Sequence, residues 1–256
     1  MGILNVTPDS FYDGGAYKKE TDILSKVEKM LNEGATFVDI GAYSSRPNAD
    51  HISEDEELKR ILPVINLVLN EFPECIISAD TFRSKVAKES ILAGAAIIND
   101  ISAGNLDSNM LKTIGSLQVP YIMMHMKGTP QTMRKLTDYK DLLKEVLFYF
   151  SKRIAAAKQM GIIDLIIDPG FGFSKTIDQN FELLNNLEYL KFVDMPMLVG
   201  VSRKSMIFKS LNSSPNEALN GTTVLNTITL NKGAAILRVH DVKEAIECIK
   251  LTNLLK

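Results

Sequence analysis

Short apolar runs alternate along this chain with longer segments whose apolar residues recur every three or four positions. The runs are Gly2 to Val6, Phe37 to Ile40, Cys75 to Asp80, Ala95 to Asn99, Val119 to Met124, Leu165 to Asp168, Met197 to Val201 and Ala234 to Val239. They are continuous rather than alternating, which predicts strands buried on both faces. Between them lie helical patterns. Ile23, Leu24, Val27, Met30 and Leu31 form one face, with Gly34 as the expected C-cap. Ser53 and Glu56 have capping-box spacing ahead of Leu58, Ile61, Leu62, Ile65 and Leu69. Further helices are expected over Ser84 to Ala93, Met110 to Leu117, Asp138 to Met160, Phe181 to Leu187, and Val242 to Leu251. A bipartite segment, Lys204 to Phe208 then Pro215 to Asn231, precedes the eighth run.

Strands that alternate with helices imply parallel βαβ units and an α/β fold. Eight such units and 256 residues suit a (β/α)8 TIM barrel, read as a single domain over residues 1–256. An open doubly wound sheet stays compatible, because periodicity does not reveal closure.

Composition narrows the function more than the fold. With 29 Lys+Arg against 31 Asp+Glu, the net charge of -2 supplies no basic field, so no nucleic-acid partner is expected. No apolar stretch reaches about 18 residues, so no membrane partner is expected either. No secretory signal stands at the start, and the location expected is cytoplasmic. The two cysteines, Cys75 and Cys248, lack CxxC spacing and read as buried reduced thiols. Three scattered histidines, His51, His125 and His240, do not make a zinc site by spacing.

The chemistry-bearing residues collect at the ends of the runs: Asn5, Asp39, Asp80, Asn99, His125, Asp168, Ser202 with Lys204, and Arg238 with His240. In a barrel those ends converge on one face, where barrel enzymes place their sites. Carboxylates and an amide (Asp80, Asn99, Asp168) suit a heterocycle edge with adjacent N–H donors. Arg46, Lys204, Arg238 and His240 suit a phosphate or diphosphate. No Walker loop is present, and Gly170-Phe171-Gly172 is only GxG.

Several stretches together resemble dihydropteroate synthase, the folate-pathway enzyme targeted by sulfonamides. They are MGILNVTPDSFYDGG at the start, SSRPNA (44–49), SADTFRSKVA (78–87), INDIS (98–102), MMHMKGTPQTM (123–133), DPGFGFSK (168–175), VGVSRKS (199–205), NGTT (220–223) and RVHDV (238–242). They follow the family's order over nearly the whole chain.

The resemblance implies an enzyme that joins 6-hydroxymethyl-7,8-dihydropterin diphosphate to p-aminobenzoate, giving 7,8-dihydropteroate and diphosphate. It implies pterin contacts at Asp80, Asn99, Met124, Asp168, Gly200, Lys204 and Arg238. It implies diphosphate contacts at Asn5, Arg46, Arg238 and His240, with Mg²⁺ as cofactor and Asn5 as its contact. It implies p-aminobenzoate neighbours at Pro8, Phe11, Ser45, Phe173 and Ser205. Asp13, Lys204, Arg238 and Arg46 carry the expected catalytic roles, Asp13 by organising the first loop. A homodimer is the expected assembly.

The second loop departs from the family's usual GGESTRPGA, reading GAYSSRPNA over 41–49. Tyr43 replaces an acid, Ser45 a threonine and Asn48 a glycine, while Tyr12 stands where serine is common in the first loop. The sequence opens directly on the first expected strand, ahead of which the family usually carries a short leader. Lys175 reads as a solvated loop charge, His51 as a surface residue and His125 as a structural histidine at a strand end. Two other functions compete: methyl transfer from a folate to a corrinoid, and non-catalytic pterin binding. The former has no use for the Arg46, Arg238 and His240 set; the latter predicts decayed loops.

Overall fold

The computed structural model describes residues 1–6, 16–44 and 51–255, with side chains from residue 20 onward in the second span. Eight strands follow in order: β1 (Gly2–Asn5), β2 (Phe37–Gly41), β3 (Ile76–Asp80), β4 (Ile97–Asp100), β5 (Tyr121–Met124), β6 (Leu165–Asp168), β7 (Leu198–Val199) and β8 (Ile236–Leu237). β1 to β6 form one parallel sheet in chain order, and β7 pairs with β8. Parallel bridges join Ile167 to Met197 and Gly2 to Val239. Backbone bonds seal both seams: Ile167 N–H to Pro196 O at 2.9 Å, and Ile3 N–H to Val239 O at 2.9 Å. The ring is therefore closed, which excludes the open sheet.

The helices are α1 (Ala16–Asn32), α2 (Glu54–Glu71), α3 (Ser84–Leu92), α4 (Met110–Leu117), α5 (Leu142–Gln159), α6 (Ile177–Asn185), α7 (Ser205–Phe208), α8 (Leu219–Asn231) and α9 (Val242–Asn253). Their ends follow local chemistry. Ser53 caps α2 by accepting from the Glu56 N–H at 3.2 Å. Gly34 ends the first unit at φ 98°, open to glycine at no steric cost. The sixth helix begins at Ile177 rather than Phe181, because Thr176 and Gln179 form a reciprocal capping box that holds the earlier start. None of the helices among the described residues is long and apolar enough to cross a membrane.

Side chains alternate between the two faces of each strand. Outward, Val38, Ile40, Ile77, Ile98, Met123 and Ile167 are fully buried beneath the helices. Each such side chain contributes about 1.5–3 kcal/mol on burial. Inward, Phe37, Ile97, Ile122, Ile166, Leu198 and Ile236 form a separate apolar plug that fills the barrel. Polar residues occupy the layers above that plug. Cys75 and Cys248 are buried and unpaired.

Candidate active site

Residues in register on parallel strands share a face. The register aligns Asn5 with Gly41, Gly41 with Asp80, and Asp80 with Asn99. It also aligns Met124 with Asp168, and, one layer deeper, Asp39 with Ser78. Short strands of matched length thus turn separate strand-end residues into one inward-facing rim. Gly41 adds no side chain to that rim; a Cβ there would be in van der Waals contact with Asp80, 3.4 Å from its Cβ and Oδ2.

Asp39 anchors the rim from below. It is fully buried and accepts from Ser78 Oγ at 2.6 Å, Asn99 Nδ2 at 3.2 Å and Arg238 Nε at 2.6 Å. Arg238 Nη2 reaches Asp80 Oδ2 at 2.8 Å. One guanidinium from β8's end therefore ties β2 to β3. Burial disfavours the Arg238 charge, but Asp39 and Asp80 outweigh it and hold the proton more firmly than usual. Burial raises the Asp80 pKa against the pull of Arg238. Sequence reasoning placed Asp39 at a strand end without a site role. Its signal was there: a carboxylate between Val38 and Ile40 in an apolar run needs a buried cationic partner.

The opposite side of the rim is built on the turn after β6. The Gly170 N–H donates to Asp168 Oδ1 at 2.8 Å. Gly170 has φ 69°, and a Cβ there would meet the His125 carbonyl oxygen at 2.1 Å, so only glycine fits. Lys204 Nζ donates to the Phe171 carbonyl at 2.5 Å and lies 5.0 Å from the Phe173 ring centroid. Burial lowers its pKa to about 8, opposed by Asp168. Burial raises the Asp168 pKa, with Lys204 the strongest opposing charge. A Cβ at Gly200 would sit 3.6 Å from Arg238 Cβ and 3.9 Å from Lys204 Nζ, so this glycine keeps open space between the two cations.

The remaining candidates surround this core. Asn5 is half-buried at the end of β1. Ser202 Oγ lies 2.9 Å from His240 Nδ1, which leaves Nε2 of that exposed ring to other partners. Desolvation and Arg238 lower the His240 pKa to about 4. Phe173 packs on a small cluster of Tyr43, Phe82, Ile101, Met124, Met126 and Met133. Ser205 opens α7 beside Lys204. Pro8, Phe11, Asp13, Ser45 and Arg46 lie outside the described residues, as do Tyr12 and Asn48.

One expectation changes. Lys175 is not a solvated charge: it is 8% exposed, with Nζ 3.0 Å from His125 Nδ1. His51 is exposed, as its surface reading expects, and lies 3.2 Å from the Tyr43 hydroxyl, which accepts from Gln131 Nε2 at 2.8 Å. Tyr43 thus joins its own loop to the loop after β5. His125 is buried at a strand end, as its structural reading expects.

A closed eight-fold barrel with carboxylates, an amide and two half-buried cations around its C-terminal mouth matches one class of protein, the pterin-binding enzymes. The model of that family, described as pterin binding enzyme, matches residues 1–240. The chain is 43% identical over 255 residues to the dihydropteroate synthase of Escherichia coli K12, covering 99% of this chain and 90% of that one. It superposes on the dihydropteroate synthase of Clostridium difficile, crystallised in the presence of pteroic acid, with a TM-score of 0.93. Identity there is 36%, covering 100% of this chain and 95% of the other. It superposes on the Xanthomonas albilineans dihydropteroate synthase with 4-aminobenzoic acid at a TM-score of 0.92. Identity there is 35%, covering 100% and 92% of the two chains. The chain belongs to the dihydropteroate synthases, enzymes of folate synthesis.

Proposed function

We propose that this chain condenses 6-hydroxymethyl-7,8-dihydropterin diphosphate with p-aminobenzoate, by loss of diphosphate before the amine attacks. The observation that carries this reading is the inward rim of Asp80, Asn99 and Asp168 facing Lys204 and Arg238. Pterin and arylamine as substrates are supported by the ligands of the relatives, pteroic acid and 4-aminobenzoic acid.

In this reading a carboxylate such as Asp168 accepts two parallel hydrogen bonds from the ring edge. Asp80, Asn99, Met124 and Gly200 complete the pterin pocket, and Lys204 donates to the ring. Arg238 lies over the ring and reaches the diphosphate with Asn5, Arg46 and His240. Pro8, Phe11, Ser45, Phe173 and Ser205 receive the arylamine, and Asp13 organises the first loop. The bond between the pterin methylene carbon and the diphosphate oxygen breaks, and its electron pair leaves with diphosphate. The pterin ring stabilises the resulting cation. The neutral amine then donates its lone pair to that carbon and releases a proton to water. No strong base is required, so the residues act by position and charge.

The donor set also suits magnesium. Among the described residues no group of three His, Cys, Asp or Glu could hold a metal. Mg²⁺ usually keeps several waters and binds through substrate phosphates with one or two protein oxygens. The Asn5 amide oxygen at the mouth meets that requirement. When bound with the diphosphate, magnesium would neutralise charge on the leaving group. A cytoplasmic homodimer completes the reading. Two buried unpaired cysteines suit a reducing compartment, and exposed Val224 on α8 and Leu251 on α9 offer apolar surface to a second copy.

The test is diphosphate release from the pterin diphosphate, with and without p-aminobenzoate and Mg²⁺. Turnover requiring all components supports the reading, and no turnover by folded protein refutes it. Trapping a bound pterin species lacking both diphosphate and amine supports the stepwise order. Isotope effects of a strictly concerted displacement would exclude it.

A further inference from the structure

Among the described residues, Lys175 is the one buried lysine, and it has no part in the reaction outlined above. Its ammonium has three acceptors: the Gly170 carbonyl at 3.0 Å, the Phe173 carbonyl at 3.1 Å and His125 Nδ1 at 3.0 Å. Gly170 and Phe173 are the two ends of one turn, closed by the Phe173 N–H donating to Gly170 O at 3.1 Å. Inside that turn, Gly172 N–H donates to Asn180 Oδ1 at 2.7 Å, and the Phe171 carbonyl accepts from Lys204. Two lysines therefore grip a single four-residue turn, Lys204 at its middle and Lys175 at both ends. A buried ammonium costs stability unless its donors are satisfied, and a scaffold needing only a stable turn could fill this volume with an apolar side chain.

We infer that Lys175 is a positioning residue: by bracing the Gly170–Phe173 turn it sets the Phe173 ring and the carbonyl that orients Lys204. Lys175 and Lys204 both face Asp168, and Lys204 adds to the burial that weakens Lys175's hold on its proton. His125 takes part as acceptor. Its pKa lies well below the ordinary value, through burial first and then Lys175 and Lys127, so the imidazole stays neutral with Nδ1 open to the ammonium. Lys127 instead pairs with Glu145 at 2.8 Å, and the Tyr139 ring faces the same histidine at 6.2 Å.

This inference rests on the proposed reaction, and the test separates the two. The full chain and its Lys175→Met and Lys175→Gln variants are assayed for diphosphate release while each substrate is varied in turn. An inactive wild type would refute the reaction and not the brace. With an active wild type, Lys175→Met should raise KM for p-aminobenzoate about tenfold or more, as small displacements of positioning groups do. KM for the pterin diphosphate should change less than about threefold. Lys175→Gln keeps two donors and should recover part of the loss. If Lys175→Met does not fold, the same KM split in Lys175→Gln decides the matter. Unchanged constants, or an equal rise in both KM values, would overturn the inference.

Discussion

Two arginines in this molecule, Arg83 buried and Arg238 half-buried, do different work with similar chemistry. Arg83, just after β3, donates from Nη1 to Glu57 Oε2 at 2.6 Å and from Nη2 to the Ile52 carbonyl at 2.6 Å. Thr81 Oγ1 takes the other Glu57 oxygen at 2.6 Å, and the guanidinium lies 5.3 Å from the Phe82 ring centroid. Each charged group faces protein on every side, so this pair pins α2 to the strand-end loop. Arg238 also bridges carboxylates, but inside the barrel mouth. Asp80 gives only Oδ2 to it, Asp168 gives only Oδ1 to the backbone, and Gly200 keeps the adjoining space clear. The lesson is that burial and pairing do not mark a site by themselves. Hydrogen-bonding capacity that the described residues leave unspent does.

The widest separation between the two pairs should come from truncating each arginine. Arg238→Met leaves Asp39 buried without its cation, which should cost about 3–5 kcal/mol in chemical denaturation and abolish diphosphate release. Arg83→Met should cost a comparable amount, yet keep turnover within about threefold when assayed well below its unfolding midpoint. Equal loss of activity in both variants at equal folded fraction would collapse the distinction.

Within the mouth, Lys204→Ala and Asp168→Ala should each weaken pterin binding about 100-fold by calorimetric titration, the cost of a lost charge-assisted contact. Unchanged affinity in both would move the ligand elsewhere on the barrel.

A smaller and more selective effect concerns pH. The Lys204 ammonium loses its proton as pH rises through about 8. Pterin affinity should therefore fall about tenfold per pH unit above that point, and the slope should vanish in Lys204→Met. A wild-type profile that stays flat to pH 10 would show that this charge is not used.

The mildest change tests the open space. Gly200→Ala adds one methyl at ordinary van der Waals distances, so the thermal midpoint should hardly move. Pterin affinity should fall about fivefold, because the methyl occupies the gap between the cations. An equal affinity would show that nothing enters that gap.

Much of the site was legible as text. Asp80, Asn99 and Asp168 each end an apolar run, Arg238 stands one residue before the end of another, and Lys204 follows one closely. Asp39 was legible in type but not in role, because its partner Arg238 is 199 residues away. Lys175 was misread because a lysine in a glycine-rich loop has no local mark of burial. The three acceptors that hold it come from its own turn and from His125, fifty residues earlier. The start of α6 was missed for a local reason, the Thr176 to Gln179 capping box.

The amino-acid sequence by itself determined the repeating strand–helix units, their parallel sense and the placing of polar residues at strand ends. Those depend on periodicity, capping and the burial of short apolar runs, all of which act over a few residues. Closure of the ring, the register that turns separate residues into one rim, and the burial of Lys175 were decided only in three dimensions. Each depends on which distant backbone and charge a side chain meets, and solvation energies near charged groups change steeply with that neighbour.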